Sequence, residues 1–419
     1  MMLKKDKTIL FVMPRLPFPT VSGRKTSLYH YCRILSEQLG YRLVVAAFLE
    51  KGDDPDLKPE FIDQLVILKH PSKIEKIKNI FVKSIITSVY PIQVSLYLSS
   101  AAKMQINKLI EKEKPIAVIA DMVRCTEYIK NAKSFKIADL DDRISLRYKR
   151  QFETDIKTVN PYGAFLDTLP KIIRKIAMYE PLKVSVLKRE IKLLSAYEIS
   201  IGKSCDKVVF VAQKEADNYN RELGEDKAIA VPIGVDVEYF KPQQVENKRN
   251  IISFLGAMNV AHNENAVNYF IERVFPKVLE RVPDAIFYVI GGGVSTKLKL
   301  KETNNIVFTG RVDDVRKYLN ASKVFVCPML FGSGIKTKNL EAMSLGLPVV
   351  TTSIGAENID AKNGEEWFVA DTDYEFAEKV IKILKNNKLE QACSSAARKY
   401  ILNTFTWNVA KERFEKILN

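Results

Sequence analysis

The fold is decided by the stretch FGSGIKTKNLEAMSLGLPVVTT, Phe331–Thr352. A short apolar run, Val324–Val326, precedes it and predicts a buried strand. A glycine-rich turn then leads into a predicted helix, Lys338–Ser344, and a second turn leads into another buried strand, Pro348–Thr351. A glycine-rich turn between a strand and a helix brings backbone N–H groups close to a phosphate, and the helix dipole favours the negative charge. The stretch therefore predicts a phosphate-binding turn in an α/β domain.

Two side chains complete this prediction. Lys336 adds a positive charge to the glycine turn, and Glu341 lies one to two helical turns further along the predicted helix. A carboxylate at that place suits a pair of ribose hydroxyl groups, because these groups need acceptors. Together with the N–H groups of Gly332 and Gly334, they predict a site for a nucleotide.

The rest of the chain alternates short apolar runs with amphipathic helices, which is typical of parallel sheets with helices on both faces. The remaining predicted strands are Ile9–Met13, Leu43–Phe48, Leu65–Leu68, Ile116–Ala120, Lys136–Ala138, Val208–Val211, Ile251–Leu255, Ile286–Ile290 and Ile306–Phe308. The remaining predicted helices are Thr26–Leu39, Glu264–Arg281, Val312–Asn320 and Tyr374–Lys385, and the segment 140–204 is expected to be mostly helical.

A turn-rich segment, Val231–Pro242, is followed by a polar run and predicts the domain boundary. We expect a first Rossmann-like domain over residues 1–232 and a second over 233–400. A C-terminal helix over 401–419 is expected to pack back toward the first domain. Two doubly wound halves are expected to form a cleft between the carboxyl ends of their strands, where such sheets bind ligands.

Composition excludes several classes of protein. No stretch approaches the ~18–20 apolar residues of a membrane-spanning helix, and the run Ile9–Met13 is too short for a signal-peptide core, so a cytoplasmic protein is expected. The five cysteines form no CxxC pair and only three histidines are present, which argues against a zinc site and a disulfide framework. No acidic cluster of the DxD type lies at a plausible site, so no metal or other cofactor is expected.

The net charge of +15 is typical of proteins that meet polyanions, and a lysine-rich solvated surface is the alternative explanation. Two basic amphipathic stretches, Ser72–Tyr90 and Val184–Ile199, are of a type that can make peripheral contact with an anionic membrane. The alternative is that each stretch packs its apolar side on its own domain.

Several segments in order resemble the retaining GT-B glycosyltransferases called group 1 or family four, and within them a subgroup associated with exopolysaccharide export. The resemblance covers nearly the whole chain and is most specific over Ile251–Thr352. Phe254–Asn259 resembles the opening of the nucleotide-binding domain, and Phe287–Gly293 resembles the strand and glycine turn in its middle. Val307–Asp314 resembles the loop that passes the donor's base, and Pro14–Gly23 resembles the loop that contacts the donor diphosphate.

The resemblance implies a GT-B fold of two doubly wound Rossmann-like domains. It implies a hexosyltransferase that moves a sugar from a nucleotide-diphosphate sugar to an acceptor hydroxyl group with retention of configuration, in exopolysaccharide or glycan synthesis. The expected partners are the nucleotide sugar and a glycan or lipid-linked glycan acceptor, and no nucleic acid. The implied site consists of the catalytic residues Lys336, Glu341 and Ser333, the donor-binding residues Gly23, Arg24, Gly256, Asn259, Gly292, Arg311, Gly332 and Gly334, and the acceptor-side residues Asp121 and Asp139.

The chain departs from the family's pattern at two places. Ser333 stands where most members have a glutamate that holds the donor sugar. Ala257 and Asn263 stand in the loop where many members have an arginine and a lysine that reach the diphosphate. Lys336, Arg311 or Arg24 can supply the missing charge, and so can the backbone N–H groups of Gly23, Gly332 and Gly334. Asp121 and Asp139, which end strands, have helix capping as an alternative role.

Three other functions stay open. The first is a nucleotide-sugar-binding subunit with weak or no catalysis, for which Ser333 is the best support. The second is a dinucleotide-dependent oxidoreductase, although no GxGxxG sequence follows Ile9–Met13. The third is a nucleic-acid-binding protein, which the net charge suggests but no known binding module supports.

Overall fold

Two parallel β-sheets organise the chain, each in its own α/β domain. The structure is a computed structural model that describes residues 6–20, 23–154, 160–162, 165–166, 171–243, 245, 249–332 and 334–419. The first domain comprises the chain up to Pro232 together with Ala410–Asn419, and the second comprises Ile233–Val409.

The first domain contains a seven-stranded sheet with the strand order β3-β2-β1-β4-β5-β6-β7. Its strands are β1 (Thr8–Met13), β2 (Arg42–Ala47), β3 (Gln64–Ile67), β4 (Ala117–Asp121), β5 (Phe135–Asp141), β6 (Lys207–Phe210) and β7 (Ala228–Ala230). Its helices are α1 (Gly23–Arg33), α2 (Lys73–Asn79), α3 (Ile92–Ser95), α4 (Ser100–Glu113), α5 (Met122–Ile129), α6 (Ile144–Thr154), α7 (Lys171–Ala177), α8 (Glu180–Ser204) and α9 (Gln213–Leu223). A 3-10 turn covers Pro55–Leu57, and π-helical turns continue α1 over Ile34–Gln38 and α2 over Ile80–Ile86.

The second domain contains a six-stranded sheet with the order β10-β9-β8-β11-β12-β13. Its strands are β8 (Ile251–Leu255), β9 (Ile286–Ile290), β10 (Ile306–Gly310), β11 (Val324–Cys327), β12 (Val349–Thr351) and β13 (Phe368–Val369). Its helices are α10 (Ala261–Tyr269), α11 (Phe275–Arg281), α12 (Thr296–Lys299), α13 (Arg316–Ala321), α14 (Thr337–Ser344), α15 (Asp373–Lys385) and α16 (Asn387–Thr404), with a π-helical turn over Phe270–Val274. The last helix, α17 (Trp407–Leu418), begins in the second domain and ends in the first.

The central strands form because both of their faces are covered. All six residues of β1 are buried, as are all four of β11. Strands of a parallel sheet with helices on both faces are expected to be continuously apolar, and this holds for β11 and for all of β1 after Thr8. The prediction of two doubly wound α/β domains is confirmed.

Two edge strands, β7 and β13, are not predicted from the sequence. They have three and two residues, so they are too short to give a pattern. The predicted helix Glu264–Arg281 is divided into α10, a π-helical turn and α11, with Pro276 in the first turn of α11. A proline there interrupts the helical hydrogen bonds, which explains the division.

Both sheets have a point where the strand order reverses, and this point positions the candidate site. It lies between β1 and β4 in the first sheet and between β8 and β11 in the second. Loops that leave the carboxyl ends of these strands diverge and open a crevice, where doubly wound sheets bind ligands. The glycine turn that follows β11 lies at this point of the second sheet. Among the described residues, no helix is long and apolar enough to cross a membrane.

Candidate functional site

The glycine turn between β11 and α14 is the centre of the candidate site. Gly332 and Gly334 have φ values of +120° and +77°, which side-chain-bearing residues rarely adopt. The backbone N–H of Gly334 donates to the Glu357 carboxylate at 3.0 Å. One of the predicted N–H donors of this turn therefore already has a protein acceptor. Ser333, the predicted catalytic residue between the two glycines, lies outside the described residues.

Lys336 directly precedes α14 and is only 8% exposed. Its ammonium donates to the backbone carbonyl of Gly334 at 2.7 Å. Among the described residues, no carboxylate lies within ion-pair distance of it. Burial, assisted by the nearby charge of Lys338, lowers the pKa of Lys336 to about 8. A buried ammonium that contacts only a neutral carbonyl is costly, so this position favours an anion.

The turn between β8 and α10 faces the same crevice. The carboxamide of Asn263 donates to the carbonyl of Ala257 at 2.9 Å and accepts from the ammonium of Lys338 at 2.7 Å. A side chain on Gly256 would lie 2.8 Å from that ammonium. The position where the family pattern has a basic residue is thus filled by Asn263, with a lysine from α14 beside it.

Glycine turns at the ends of neighbouring strands also line a cavity of about 440 Å³. Its walls include the predicted donor-binding residues Gly256, Asn259, Gly292 and Arg311. The carbonyl of Gly292 accepts from the N–H of Met258 at 2.8 Å, which joins two of the turns. Arg311 is exposed, and none of the described residues forms a hydrogen bond or ion pair with it. A cavity of this size with a free guanidinium at its wall suits a small polar ligand.

Glu341 lies on α14, about one helical turn from Lys338. Burial raises the pKa of its carboxyl group, and the charge of Lys338 opposes that shift. Nearby, burial and the charges of Lys338 and Lys336 lower the pKa of His262. His262 therefore adds no positive charge to the site at neutral pH.

In the first domain, Arg24 joins the predicted acceptor-side residues. Its guanidinium forms ion pairs with Asp121, with Asp139 at 2.8 Å and with Asp141 at 3.0 Å. Asp121, at the end of β4, and Asp139, two residues before the end of β5, are paired in register, so they lie side by side. We call these four residues the Arg24 cluster. Gly23, the neighbour of Arg24, is exposed at the start of α1.

The Arg24 cluster has an excess of negative charge. Asp121 and Asp139 are 0% and 1% exposed, and one oxygen of Asp121 and both oxygens of Asp139 have no hydrogen-bond partner among the described residues. Burial raises the pKa of Asp139 to about 7, and the charges of Asp121 and Asp141 raise it while Arg24 opposes the shift. Asp139 therefore holds a proton during much of the time at neutral pH. Since the charge of Arg24 is satisfied within its own domain, its predicted contact with a donor stays a prediction.

Sequence reasoning did not find three residues of these sites: Lys338, Glu357 and Asp141. Lys338 is only two positions after Lys336, and this repeat of lysines was an available signal. The sequence contains no such signal for Glu357 or Asp141. Their contacts with Gly334 and Arg24 arise only from the fold of each domain.

Comparison with known sequences matches residues 249–386 to the family described as Glycosyl transferases group 1. An uncharacterized 44.6 kDa protein in the cps region of Klebsiella pneumoniae is 28% identical over 236 residues, with coverage of 54% of this chain and 57% of that protein. The UDP-Gal:alpha-D-GlcNAc-diphosphoundecaprenol alpha-1,3-galactosyltransferase of Escherichia coli is 26% identical over 261 residues, with coverage of 56% and 64%. The matched region thus spans less than two thirds of the length of each relative.

Comparison with solved structures extends over the whole chain. Anabaena Alr3699/HepE, solved in complex with UDP, has a TM-score of 0.63 at 12% identity, with coverage of 98% of this chain and 99% of that chain. At this level of identity the likeness shows the fold. The prediction of the GT-B class, with two Rossmann-like domains, is confirmed.

Proposed function

We propose that this chain, which carries a group 1 glycosyl transferase domain over residues 249–386, is a glycosyltransferase that uses a nucleoside-diphosphate sugar. The observation that carries the proposal is the buried ammonium of Lys336, which lies in a glycine turn at the reversal point of the second sheet without a carboxylate partner among the described residues. A diphosphate supplies the missing negative charge.

Cleavage of the glycosidic bond places negative charge on the leaving diphosphate. Groups that already point at this charge lower the barrier, because they need no reorganisation during the reaction. Lys336 and the N–H groups at the start of α14 have that role in our proposal. The acceptor hydroxyl group attacks the anomeric carbon and finally loses its proton, while the diphosphate leaves.

The remaining contacts follow from the crevice around α14. We assign Glu341 to the ribose hydroxyl groups, since its carboxylate accepts two hydrogen bonds. Arg311 and the glycine turns of the 440 Å³ cavity are assigned to the donor. The galactosyltransferase relative is named for UDP-Gal and the Anabaena protein was solved with UDP, which makes a UDP-sugar the first donor to test.

We place the acceptor at the Arg24 cluster, where Asp141 is the most exposed carboxylate. The relatives' names, a cps region and a diphosphoundecaprenol-linked acceptor, support a role in capsule or cell-surface glycan synthesis. The resemblance to the retaining group supports transfer with retention of anomeric configuration. NMR of the product anomer tests that part of the proposal.

We further propose that the first domain touches an anionic membrane, where a lipid-linked acceptor is found. Except for the half-buried Ile80, the apolar side chains of α2 and the turn that follows it are exposed, and Ile74 is 80% exposed. The buried residues of these elements are polar: Asn79 donates to the carbonyl of Leu98 and Ser84 bonds Ser95. This inverted arrangement disfavours the alternative in which the apolar side packs on its own domain. The α2 patch consists of Ile74, Ile77, Phe81, Ile85, Ile86 and Val89, with Lys73 and Lys78 beside them.

The function is tested by a thermal-shift screen against UDP-, GDP- and ADP-sugars, because a ligand that binds only the folded state raises the melting temperature. The donor that gives the largest shift is then used in a transfer assay with glycan and lipid-linked acceptors. We expect one nucleotide to bind and its sugar to be transferred.

Two outcomes contradict the proposal. Tight binding without transfer to any acceptor and without hydrolysis favours a nucleotide-sugar-binding subunit. Absence of a shift with every nucleotide sugar removes the donor site itself. Lys336→Met, compared with the exposed Lys388→Met in the same domain, shows whether a positive shift arises at the glycine turn.

A further inference from the structure

Lys338 lies in the first turn of α14, and its ammonium reaches the turn after β8. It donates to the side-chain oxygen of Asn263 at 2.7 Å and lies 4.3 Å from the centre of the buried Phe254 ring. A side chain on Gly256 would approach it to 2.8 Å. The ammonium is therefore held at one place, next to a glycine whose missing side chain leaves room for it.

Within the described part of the chain, no carboxylate is paired with Lys338: Glu341, one helical turn further along α14, acts on its charge only from beyond ion-pair distance. Among residues 249–332 and 334–419, no carboxylate lies within ion-pair distance of Lys338 or Lys336. Their hydrogen-bond acceptors are the neutral oxygens of Asn263 and Gly334. Partly buried charges are normally paired, because desolvation is costly. Two lysines at one turn that contact only neutral acceptors imply that an anion belongs there.

The helix adds to this charge. The first turn of α14 contains no acidic residue, and its N-terminus carries the positive end of the helix dipole. Lysine is unfavourable at this end of a helix unless an anion is bound. If the hydrogen bond to Asn263 were purely structural, a neutral donor would make it equally well. Such a donor would avoid the cost of a positive charge at this end of the helix.

We infer that Lys338 is a second phosphate-binding lysine of the donor site, which acts with Lys336 on the diphosphate. The inference rests on the proposed function for the identity of the anion. Asn263 holds the ammonium of Lys338 in position. A lysine from α14 thus supplies the positive charge that the turn after β8 lacks. Of the two lysines, Lys338 is the one held against the β8 turn.

Lys338→Gln tests the inference, because glutamine keeps a donor for Asn263 and removes only the charge. Lys338→Arg keeps the charge, and the exposed Lys388→Gln is the matched control. The probes are inorganic pyrophosphate and the nucleoside diphosphate found in the donor screen, titrated by calorimetry. We expect Lys338→Gln to weaken both by about 10-fold to 100-fold, as for the loss of one charged hydrogen bond. We expect Lys338→Arg to recover most of the affinity and the free nucleoside to bind all variants alike.

The outcomes separate this inference from the proposed function. Equal affinity of Lys338→Gln and the wild type for both probes overturns the inference and leaves the proposed function intact. Weakened pyrophosphate binding in Lys338→Gln, with no nucleotide sugar bound by the wild type, supports the anion site and overturns the proposed function. Binding of neither probe by the wild type overturns both. Melting temperatures of the variants without ligand show that each is folded.

Discussion

Lys336 is the residue at which burial changes the charge of the site. Its pKa is lowered to about 8, chiefly by burial, so it loses its charge as the pH rises through that value. We expect affinity for the nucleoside diphosphate to be highest below about pH 8 and to fall above it. Calorimetry at about pH 7 and about pH 9 measures the change. Lys336→Met is expected to bind weakly at both values, while Lys388→Met keeps the wild-type profile. A wild-type affinity that does not vary over this range contradicts the prediction.

The same lysine has a cost for folding. Because its pKa in the folded state is about 8 and in the unfolded state about 10.4, the penalty is fully present below pH 8 and disappears as the pH rises to about 10.4. Lys336→Met is therefore expected to be more stable than the wild type at neutral pH without ligand, by roughly 1–3 kcal/mol. Such a gain in stability at a loss of binding is common at functional sites.

Asp139 gives the free energy of unfolding a pH dependence of opposite sign, because its pKa is raised in the folded state whereas that of Lys336 is lowered. Its pKa of about 7 is above the unfolded value of about 3.9, so the folded protein binds the extra proton between these values. Asp139 alone is then expected to lower the free energy of unfolding as the pH rises from about 4 to about 7, by at most about 1.4 kcal/mol per pH unit. Asp139→Asn removes this dependence, and the exposed Glu60→Gln does not. Urea unfolding at several pH values measures it, and parallel profiles for wild type and Asp139→Asn speak against it.

Lys336 could be predicted as a site residue from the sequence alone, because the glycine turn, strand and helix around it are neighbours in the sequence. The role of Lys338 depends on which way its side chain turns from α14, and only the neighbouring β8 turn decides that. The partners of Arg24 come from strands about a hundred positions away, and no local pattern connects them.

At the scale of elements, the glycine turn after β9 packs closely against the turn after β8. This is possible because Gly291 has no side chain. A Cβ atom on Gly291 would lie 2.0 Å from the backbone oxygen of Gly256, and its φ is +135°. Gly310 also has a left-handed φ, +68°, but open space around it. We expect Gly310→Ala to cost about 1–2 kcal/mol from backbone strain alone and Gly291→Ala roughly 2–4 kcal/mol. Urea unfolding measures the loss of stability of each variant. Equal losses for the two variants would show that the structure relieves the close contact at Gly291.

The α2 patch is expected to insert its apolar side chains at a membrane surface. Ile74→Ser with Ile86→Ser removes two of them, and Leu300→Ser, at an 83% exposed leucine of the second domain, is the control. We expect binding to anionic vesicles to weaken roughly 10-fold or more in the double variant only. Co-sedimentation at low salt measures it. Equal binding to anionic and neutral vesicles by the wild type contradicts the proposal.

The elements themselves were predicted with different success, for physical reasons. β8 and β9 were predicted to the residue, since each is a short run of mainly apolar residues between polar turns. α16 was not predicted, although it has 18 residues, because its sequence mixes small and polar residues and has few buried positions. A helix whose contacts are sparse leaves a weak period in the sequence.

At the scale of the whole molecule, α17 completes the first domain. Phe414 is 1% exposed, and its ring contacts that of Tyr31 at a centroid distance of 5.0 Å. Tyr31 in turn donates to the carbonyl of Val231 at 2.8 Å. We expect Phe414→Ala to destabilise the first domain by about 3–5 kcal/mol, and the exposed Lys416→Ala to have little effect. Hydrogen exchange is expected to rise in residues 6–230 and to stay unchanged in 249–400, and a uniform rise would refute this assignment.

The class of fold was within reach of the sequence, since alternating strands and helices leave few topologies. The reversal points of the two sheets could not be predicted from the sequence, because they depend on which strands are neighbours in each sheet.

The crossing of α17 from one domain to the other has a practical consequence. The last part of the first domain is synthesised after the entire second domain, so the core around Tyr31 closes only after α17 has been made. A chain cut between Pro232 and Ile233 gives two fragments, neither of which contains a whole first domain. We expect the two fragments to re-form the missing core non-covalently on mixing, so the cut offers a split protein whose reassembly can be followed.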